Sequence, residues 1–241
     1  MQMKLTFQFE SLYLPFSYNR ILQSLVLKWL NNEKYAEFIH NEGFKFGKRK
    51  YKLFTFSKLF GNFEIDKSKK LFIFKNQADF IVSSHDDNFM KYIALSFFKE
   101  PFVFIKNQKV EVINVQIKKF EPSNKIRVVT KSPVTVYSTY YKNGRKWVNY
   151  FSPFDQEFYK IIRENLIRKY MAFYKKEPKG SICIRHIGKK AKEQVINYKN
   201  TVVKGWISTF ELEGDEELLE LAFNSGIGSK NSIGFGCIDL I

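Results

Sequence analysis

Eleven residues near the C-terminus carry the densest chemical signal in the chain: Gly226-Ile227-Gly228-Ser229-Lys230-Asn231-Ser232-Ile233-Gly234-Phe235-Gly236. Two Gly-x-Gly pairs flank a stretch that contains one lysine. Glycine permits positive φ and lets backbone approach a ligand closely. Successive N–H groups in such a loop can form a nest for an anion, and Lys230 adds a charge suited to phosphate. The competing reading is a turn that needs glycine only for tight packing. Two phosphate-binding motifs are excluded by spacing. The dinucleotide fingerprint needs a third glycine at position 231, where asparagine stands, and a strand before a helix, the reverse of the order here. The P-loop needs Gly-Lys-Ser/Thr, which Ser229-Lys230-Asn231 does not supply.

Acid–base chemistry near neutrality calls for histidine, and the chain has three: His40, His85 and His186. His85 falls in Ser84-His85-Asp86-Asp87, which reads as a helix cap and so as a structural position. His186 lies in an apolar strand beside Arg185, where packing or a phosphate contact fits better than catalysis. His40 follows an apolar helical face and precedes Asn41-Glu42-Gly43, so it sits at a helix end, where the partial negative charge favours imidazolium. A metal centre is not expected. No two histidines have ligand spacing, and Cys183 and Cys237 are far apart. Glu211, Glu213, Asp215, Glu216, Glu217 and Glu220 read as a solvated face turned away from a polyanion.

Aromatic and basic residues interleave in Phe44-Lys45-Phe46, in Lys48-Arg49-Lys50-Tyr51-Lys52 and in Tyr140-Tyr141-Lys142-Asn143-Gly144-Arg145-Lys146-Trp147. Stacking surfaces beside cations are the usual recipe for single-stranded RNA, although aromatics in strands mostly fill cores. On this basis Lys45, Lys48, Arg145 and Arg185 join Lys230 as candidate phosphate contacts. The composition agrees. The 241 residues carry 40 Lys+Arg against 24 Asp+Glu, a formal charge of +16, with an isoelectric point near 9.6. The excess is +9 in residues 1–120 and +7 in residues 121–241, so it belongs to the whole body and not to a tail. Such a field attracts polyanions; nucleic acid, acidic membrane and a merely lysine-rich background would all produce it. Apolar residues make up 44% of the chain, enough for a proper core. No apolar run is long enough to span a bilayer, and the alternating start Met1 to Phe7 does not read as a secretory signal. Two cysteines exclude a disulfide-rich scaffold, and a reduced, cytoplasmic setting is expected.

The elements that must position these residues follow from periodicity. Lys4 to Glu10 alternates as a strand. Leu22, Leu25, Val26, Trp29 and Leu30 form a helical stripe, and a short second helix carries His40 in its last turn. Strands are expected at Lys52–Ser57, Leu71–Phe74 and Phe80–Val82, a helix from Asp86 through Phe98, and strands at Phe102–Ile105 and Val110–Ile117. Glu121-Pro122-Ser123-Asn124 reads as a linker. The second half repeats the order: a strand at Ile126–Thr130, a hairpin turning at Asn143-Gly144, and a long helix with Pro153 at its first position. Phe158, Ile161, Ile162, Leu166, Tyr170 and Phe173 form its buried stripe, with Lys160, Arg163, Arg168 and Lys169 off it. Strands near 182–187, 194–197 and 201–210, a helix capped by Asp215 and a closing strand at Gly234–Ile241 complete the chain. Strand, helix, strands, helix, strand is the order of a ferredoxin-like unit. The expected fold is therefore α+β, two tandem ferredoxin-like (RRM-like) domains with antiparallel sheets, residues 1–121 holding the candidate catalytic residues and 122–241 the glycine-rich loop.

The double Gly-x-Gly with a basic residue between closely resembles the C-terminal signature of the CRISPR-associated endoribonucleases that cut precursor CRISPR RNA within its repeats, the sixth Cas family of the repeat-associated RNA-binding superfamily. His40 after an N-terminal helix, Lys52-Leu53-Phe54-Thr55-Phe56-Ser57, Ser132-Pro133-Val134 before the hairpin and Glu157-Phe158-Tyr159-Lys160-Ile161-Ile162 extend the resemblance over both halves. The resemblance implies metal-independent cleavage without a cofactor: the ribose 2′-OH attacks the adjacent phosphate, leaving 2′,3′-cyclic phosphate and 5′-OH ends. It implies His40 as general acid/base and Lys52 as stabiliser of the charged phosphorane, with Lys45 or Lys48 as alternatives to Lys52. It also implies that the loop carrying Gly226, Gly228, Lys230, Gly234 and Gly236 contacts RNA or braces its site. The implied partners are CRISPR repeat RNA and other Cas effector subunits, with the protein a monomer or homodimer away from membranes. The tyrosine many members carry on the first helix falls here at Leu27, with Tyr18 and Tyr35 nearby in sequence but neither at the matching position. A non-catalytic repeat-binding subunit is the alternative reading.

Overall fold

Met3, Leu5 and Phe7 are buried on one parity of the first strand, Leu12 and Leu14 on the other. A side-chain period of two would turn one of these sets to solvent. The computed structural model, which describes residues 1–99 and 102–241, shows how both stay inside: a bulge between Gln8 and Ser11 resets the register against the neighbouring strand. The strand therefore runs on past the expected end at Glu10 to Pro15, as β1 (Gln2–Pro15).

The first half continues with α1 (Asn19–Lys28), α2 (Glu33–Glu37), β2 (Phe44–Phe46), β3 (Arg49–Tyr51), β4 (Phe54–Phe56), β5 (Phe63–Asp66), β6 (Leu71–Ser84), α3 (Asp87–Lys99), β7 (Phe102–Ile105) and β8 (Gln108–Lys118). The two strands expected between 71 and 82 are one continuous β6. Its neighbours place β4-β6-β1-β8-β7 side by side, with β5 also paired to β6. The second half contains β9 (Lys125–Thr130), β10 (Tyr137–Lys142), β11 (Arg145–Tyr150), α4 (Gln156–Tyr174), β12 (Ile182–His186), β13 (Lys192–Tyr198), β14 (Thr201–Ile207), β15 (Thr209–Gly214), α5 (Glu216–Ser225) and β16 (Ile238–Leu240), and its sheet runs β12-β15-β9-β16. With β1, β4, β6 and β8 as the four strands of the first unit and β9, β12, β15 and β16 as those of the second, both sheets place the second strand beside the third, the third beside the first and the first beside the fourth, and the strands pair antiparallel. That is the ferredoxin-like βαββαβ arrangement twice over. The hairpins β10–β11 and β13–β14 are insertions outside the two main sheets, and β14 is tied to the chain before β10 by an antiparallel bridge between Trp206 and Val134.

Two helix starts differ from expectation in instructive ways. Pro153 is not the first residue of α4; it lies in a turn, and Asp155 receives hydrogen bonds from the Ser152 N–H (2.7 Å) and hydroxyl (2.8 Å) just before the helix opens at Gln156. At α3, Asp86 is the cap, accepting the Asn88 N–H at 3.0 Å. Asp215 caps α5 by accepting the Leu218 N–H at 3.1 Å. The acidic run is not a free solvated face either. Glu211 is buried and pairs with Lys125, Arg127 and Arg185, and Glu213 pairs with Lys125 and Arg185. Strand pairing of β9, β15 and β12 brings these bases alongside, although none is near in sequence. Among the described residues no helix is long and apolar enough to cross a membrane.

Each half has its own core, one around Phe7, Trp29 and Phe80, the other around Phe158, Leu166 and Phe210. The cores are not independent, since Tyr51 and Leu53 of the first half are buried in the second. His85 reinforces the joint. It is buried, and its Nε2 lies 2.9 Å from the Tyr174 hydroxyl at the end of α4. Burial pulls its pKa down from 6.5 to about 4, with the positive chain terminus and Lys169 adding to the effect. The unfolded chain thus takes up a proton between about pH 6.5 and 4 that the folded chain resists, so this group's contribution to stability is lost as pH falls through that window. The loss is at most about 3 kcal/mol. His85→Gln, which keeps a hydrogen-bonding side chain but cannot titrate, should flatten this part of the pH dependence of urea midpoints. Identical slopes for the two proteins would remove His85 as the cause.

Candidate functional site

His40 is presented by a turn of π-helix, Phe38–Glu42, that continues α2. The turn ends where the Gly43 N–H reaches the Phe38 carbonyl (2.7 Å). Gly43 takes φ +62°, and a Cβ there would overlap the Tyr51 carbonyl oxygen, so only glycine lets β2 leave in that direction. Two lysines from the following hairpin fasten the turn. Lys52 Nζ donates to the His40 carbonyl at 2.6 Å and Lys50 Nζ to the Asn41 carbonyl at 3.0 Å. Both oxygens belong to a helix C-terminus, where a cation is favoured. The His40 ring is exposed, its Nδ1 2.7 Å from the Asn41 side-chain oxygen. With Nδ1–H donating a hydrogen bond to the Asn41 oxygen, Nε2 is left for other chemistry. Partial burial lowers the Lys52 pKa, with help from Lys199 and Lys50.

The imidazole opens on a cleft of about 480 Å³ lined by Arg20, Ser24, Leu27 and Lys28 of α1 and by Lys199 of the β13–β14 turn. Three cations from two halves of the chain thus share one cleft with a histidine. Sequence reading passed over Arg20, Lys28 and Lys199. A signal for the first two exists: Arg20, Ser24, Leu27 and Lys28 recur at helical spacing on the face opposite Leu22, Leu25, Val26 and Trp29. Lys199 has none, being a turn residue brought in by folding. Leu27 does stand in the cleft, where it contributes no hydroxyl. Tyr18 and Tyr35 are committed elsewhere. The Tyr18 hydroxyl is buried against the Leu59 N–H, its pKa pushed up to about 12, and the Tyr35 hydroxyl donates to Asp86, with burial and that carboxylate raising its pKa.

Lys52 lines not this cleft but a second, larger cavity of about 680 Å³ between the halves, with Arg49, Arg168, Lys169 and Lys230 among its walls. Lys169, expected off the buried stripe of α4, is in fact buried. Its ammonium donates to the Gly226 carbonyl (2.7 Å) and to the carbonyl and hydroxyl of Ser225 (3.2 Å each). Burial pulls its pKa from 10.5 down to about 7. The lysine therefore caps the C-terminus of α5 and holds the first residue of the glycine-rich loop.

That loop is a brace. Gly226, Gly228, Gly234 and Gly236 are buried and all have positive φ. The N–H groups of Ile227, Ser229, Gly234 and Gly236 bond to protein carbonyls, which leaves them closed to an anion. The first half grips the loop from outside: Asn19 Nδ2 donates to the Ile233 (2.9 Å) and Gly234 (3.3 Å) carbonyls, and Thr55 Oγ1 to the Phe235 carbonyl (2.9 Å). Lys230 is the member that faces the larger cavity, its Nζ 5.3 Å from the centre of the Tyr137 ring.

The remaining sequence candidates lie apart. Lys45, on β2, is exposed and paired with Glu42 at 2.7 Å. Lys48 is exposed in the β2–β3 turn, and Arg145 in the β10–β11 hairpin beside solvent-facing Tyr140, Tyr141 and Trp147. Arg185 stands on the outer face of the second sheet, 3.0 Å from Glu211 and 2.9 Å from Glu213. Among the described residues no three of His, Cys, Asp or Glu converge as metal ligands. His40 therefore lines the smaller cleft and Lys52 and Lys230 the larger one, with the Lys52 ammonium reaching the backbone of the His40 turn, while Arg185 is neutralised elsewhere.

The brace can be tested through its glycines. An alanine methyl at Gly236 would overlap the Ile227 carbonyl oxygen, at φ +71°, whereas one at Gly47, φ +56°, would meet nothing. Gly236→Ala should cost more than about 3 kcal/mol and Gly47→Ala about 1 kcal/mol in chemical denaturation. Equal losses would show that the loop is not under steric constraint.

The family model described as "CRISPR associated protein Cas6, C-terminal" matches residues 116–240. A relative from Pyrococcus furiosus named CRISPR-associated endoribonuclease Cas6 is 25% identical over 231 residues, covering 93% of this chain and 82% of that protein. Among solved structures, one described as "Characterization of a Cas6-related gene from Pyrococcus furiosus" superposes with TM-score 0.85 at 21% identity, covering 100% of this chain and 98% of the other. Another, "An RAMP protein binding different RNA substrates", gives TM-score 0.81 at 23% identity over 100% and 99%. With a basic two-unit ferredoxin-like body, a histidine cleft and a braced double Gly-x-Gly loop, the chain belongs to the Cas6 family of CRISPR-associated proteins.

Proposed function

We propose that the protein is an endoribonuclease that cleaves precursor CRISPR RNA within its repeats without a metal ion. The observation that carries this reading is the cleft in which His40 meets Arg20, Lys28 and Lys199. A phosphodiester brought there by three cations would lie beside an exposed imidazole. In the reaction the ribose 2′-oxygen bonds to the adjacent phosphorus and the P–O5′ bond breaks. The 2′-OH proton leaves to a base, and O5′ takes up a proton, giving 2′,3′-cyclic phosphate and 5′-OH ends. His40 serves as the general acid/base. The cations stabilise the phosphorane's added negative charge. Lys52 contributes in two ways: its hydrogen bond to the His40 carbonyl fixes the turn, and its charge adds to the field of the larger cavity that it lines. Lys230, Lys48 and Arg145 extend the basic surface along which the strand would run, and the glycines act through the backbone they allow.

Leu27 favours one further reading, a repeat-binding subunit that does not cut. A cleft without a tyrosine hydroxyl has one proton-transfer group fewer, and Ser24 is the hydroxyl that remains in the lining.

His40→Ala should slow single-turnover cleavage of the organism's own repeat RNA by about 10²–10⁴-fold while leaving its affinity close to wild type. Cleavage should persist in EDTA and vanish with a 2′-deoxy nucleotide at the cut. Tight binding with no cleavage by the wild-type protein would establish the subunit reading, and loss of activity on chelation would overturn the metal-free mechanism.

A further inference from the structure

A cavity of about 330 Å³, sharing no lining residue with the two already described, lies between the β5–β6 edge of the first sheet and the β13–β14 hairpin of the second half. Its walls are aromatic. The Phe16 and Phe72 ring centres are 4.9 Å apart, and Phe63 stands edge-on to Phe72 at 5.3 Å. Phe16 and Phe63 remain 41% and 49% exposed, so part of each ring is open to solvent. The polar groups are as informative. Gln194 Oε1 is buried in the lining with no hydrogen-bond partner, a costly condition for an amide acceptor. Lys58 is half-buried in the same lining, its pKa lowered by burial and by nearby Lys192. Among the described residues neither lysine has an ion-pair partner, and no carboxylate lines the cavity.

We infer that this cavity takes one unstacked base of the bound RNA strand. Aromatic faces supply stacking that any base can use. The orphaned Gln194 oxygen accepts an N–H from the edge of the base. Lys58, a cation in the lining without an ion-pair partner among the described residues, meets a flanking phosphate. Flat rings, one vacant acceptor and the Lys58 ammonium together match a nucleotide; a wholly apolar partner would leave the amide and this lysine without a polar contact. The size agrees, since about 300 Å³ is the lower end of the range for pockets that enclose a small ligand. Asn19 lines the cavity and also grips the glycine-rich loop, so a base seated here lies next to the brace.

This inference rests on the proposed action on RNA, and the experiment separates the two. Affinity for the organism's repeat RNA is measured for the wild type, Phe63→Ala, Phe63→Tyr and Gln194→Ala, with RNAs in which one base at a time is replaced by an abasic site. Phe63→Ala should weaken binding roughly ten- to a hundredfold, and Phe63→Tyr, which keeps the flat face, should restore it. One abasic position should weaken wild-type binding by a similar factor and have no further effect in Phe63→Ala. Gln194→Ala should lower the preference for the natural base at that position. If the wild type binds repeat RNA but Phe63→Ala binds equally well, the base pocket is overturned and the aromatic walls are left to a protein partner. If the wild type does not bind the RNA at all, the functional reading fails with it. Phe63 is half exposed on an edge strand, so its removal does not threaten the fold.

Discussion

The site depends on backbone passing where a side chain cannot. The segment from Gly226 to Gly236 is threaded between the two ferredoxin-like units, with Ile227, Thr135 and Phe56 atoms standing where a β-carbon would go at one glycine or another. Asn19 and Thr55 hold it from the first unit, Lys169 and Thr135 from the second. Each contact spends a polar group on a carbonyl or N–H that would otherwise be buried unpaired. Because the same α1 that carries Asn19 also carries Arg20, Ser24 and Lys28, fixing the loop fixes the helix that lines the His40 cleft.

A second regularity is the use of lysine on backbone oxygen. Lys50, Lys52 and Lys169 each donate to carbonyls at the ends of helical turns, and none of the three makes an ion pair among the described residues. Carbonyls at a helix end offer partial negative charge, enough to seat an ammonium group but not to neutralise it. For Lys50 and Lys52 the charge thus remains available to the larger cavity while the side chain is held in place. Where carboxylates are the partners, as for Arg185, Arg127 and Lys125 against Glu211 and Glu213, the charge is spent on joining strands. The distinction sorts a uniformly basic sequence into structural and exposed cations, which composition cannot do.

The order of elements, the antiparallel α+β class and the hairpin at Asn143-Gly144 were legible because they follow from local rules: apolar period, capping residues and turn preference. Errors arose where a tertiary device overrode the period. The bulge after Gln8 doubled the length of the first strand's apolar face, and Lys169 was buried because α5 ends against it. For the site, His40 and the double Gly-x-Gly stood out by residue type. Lys199 and the Gln194 pocket did not, since nothing near them in sequence marks them.

Local sequence rules were enough to read a basic chain with two ferredoxin-like orders of elements, one histidine at a helix end and a glycine-rich loop near the C-terminus. Those properties live in periodicity, charge and backbone freedom, which neighbouring residues decide. Tertiary structure alone decided which cations share a cleft with that histidine, which are consumed by carboxylates on the next strand, and whether the loop faces ligand or protein. These are distances between residues that can lie more than 200 positions apart, as in the 215-residue separation of Asn19 and Gly234, and they exist only once the two sheets have packed.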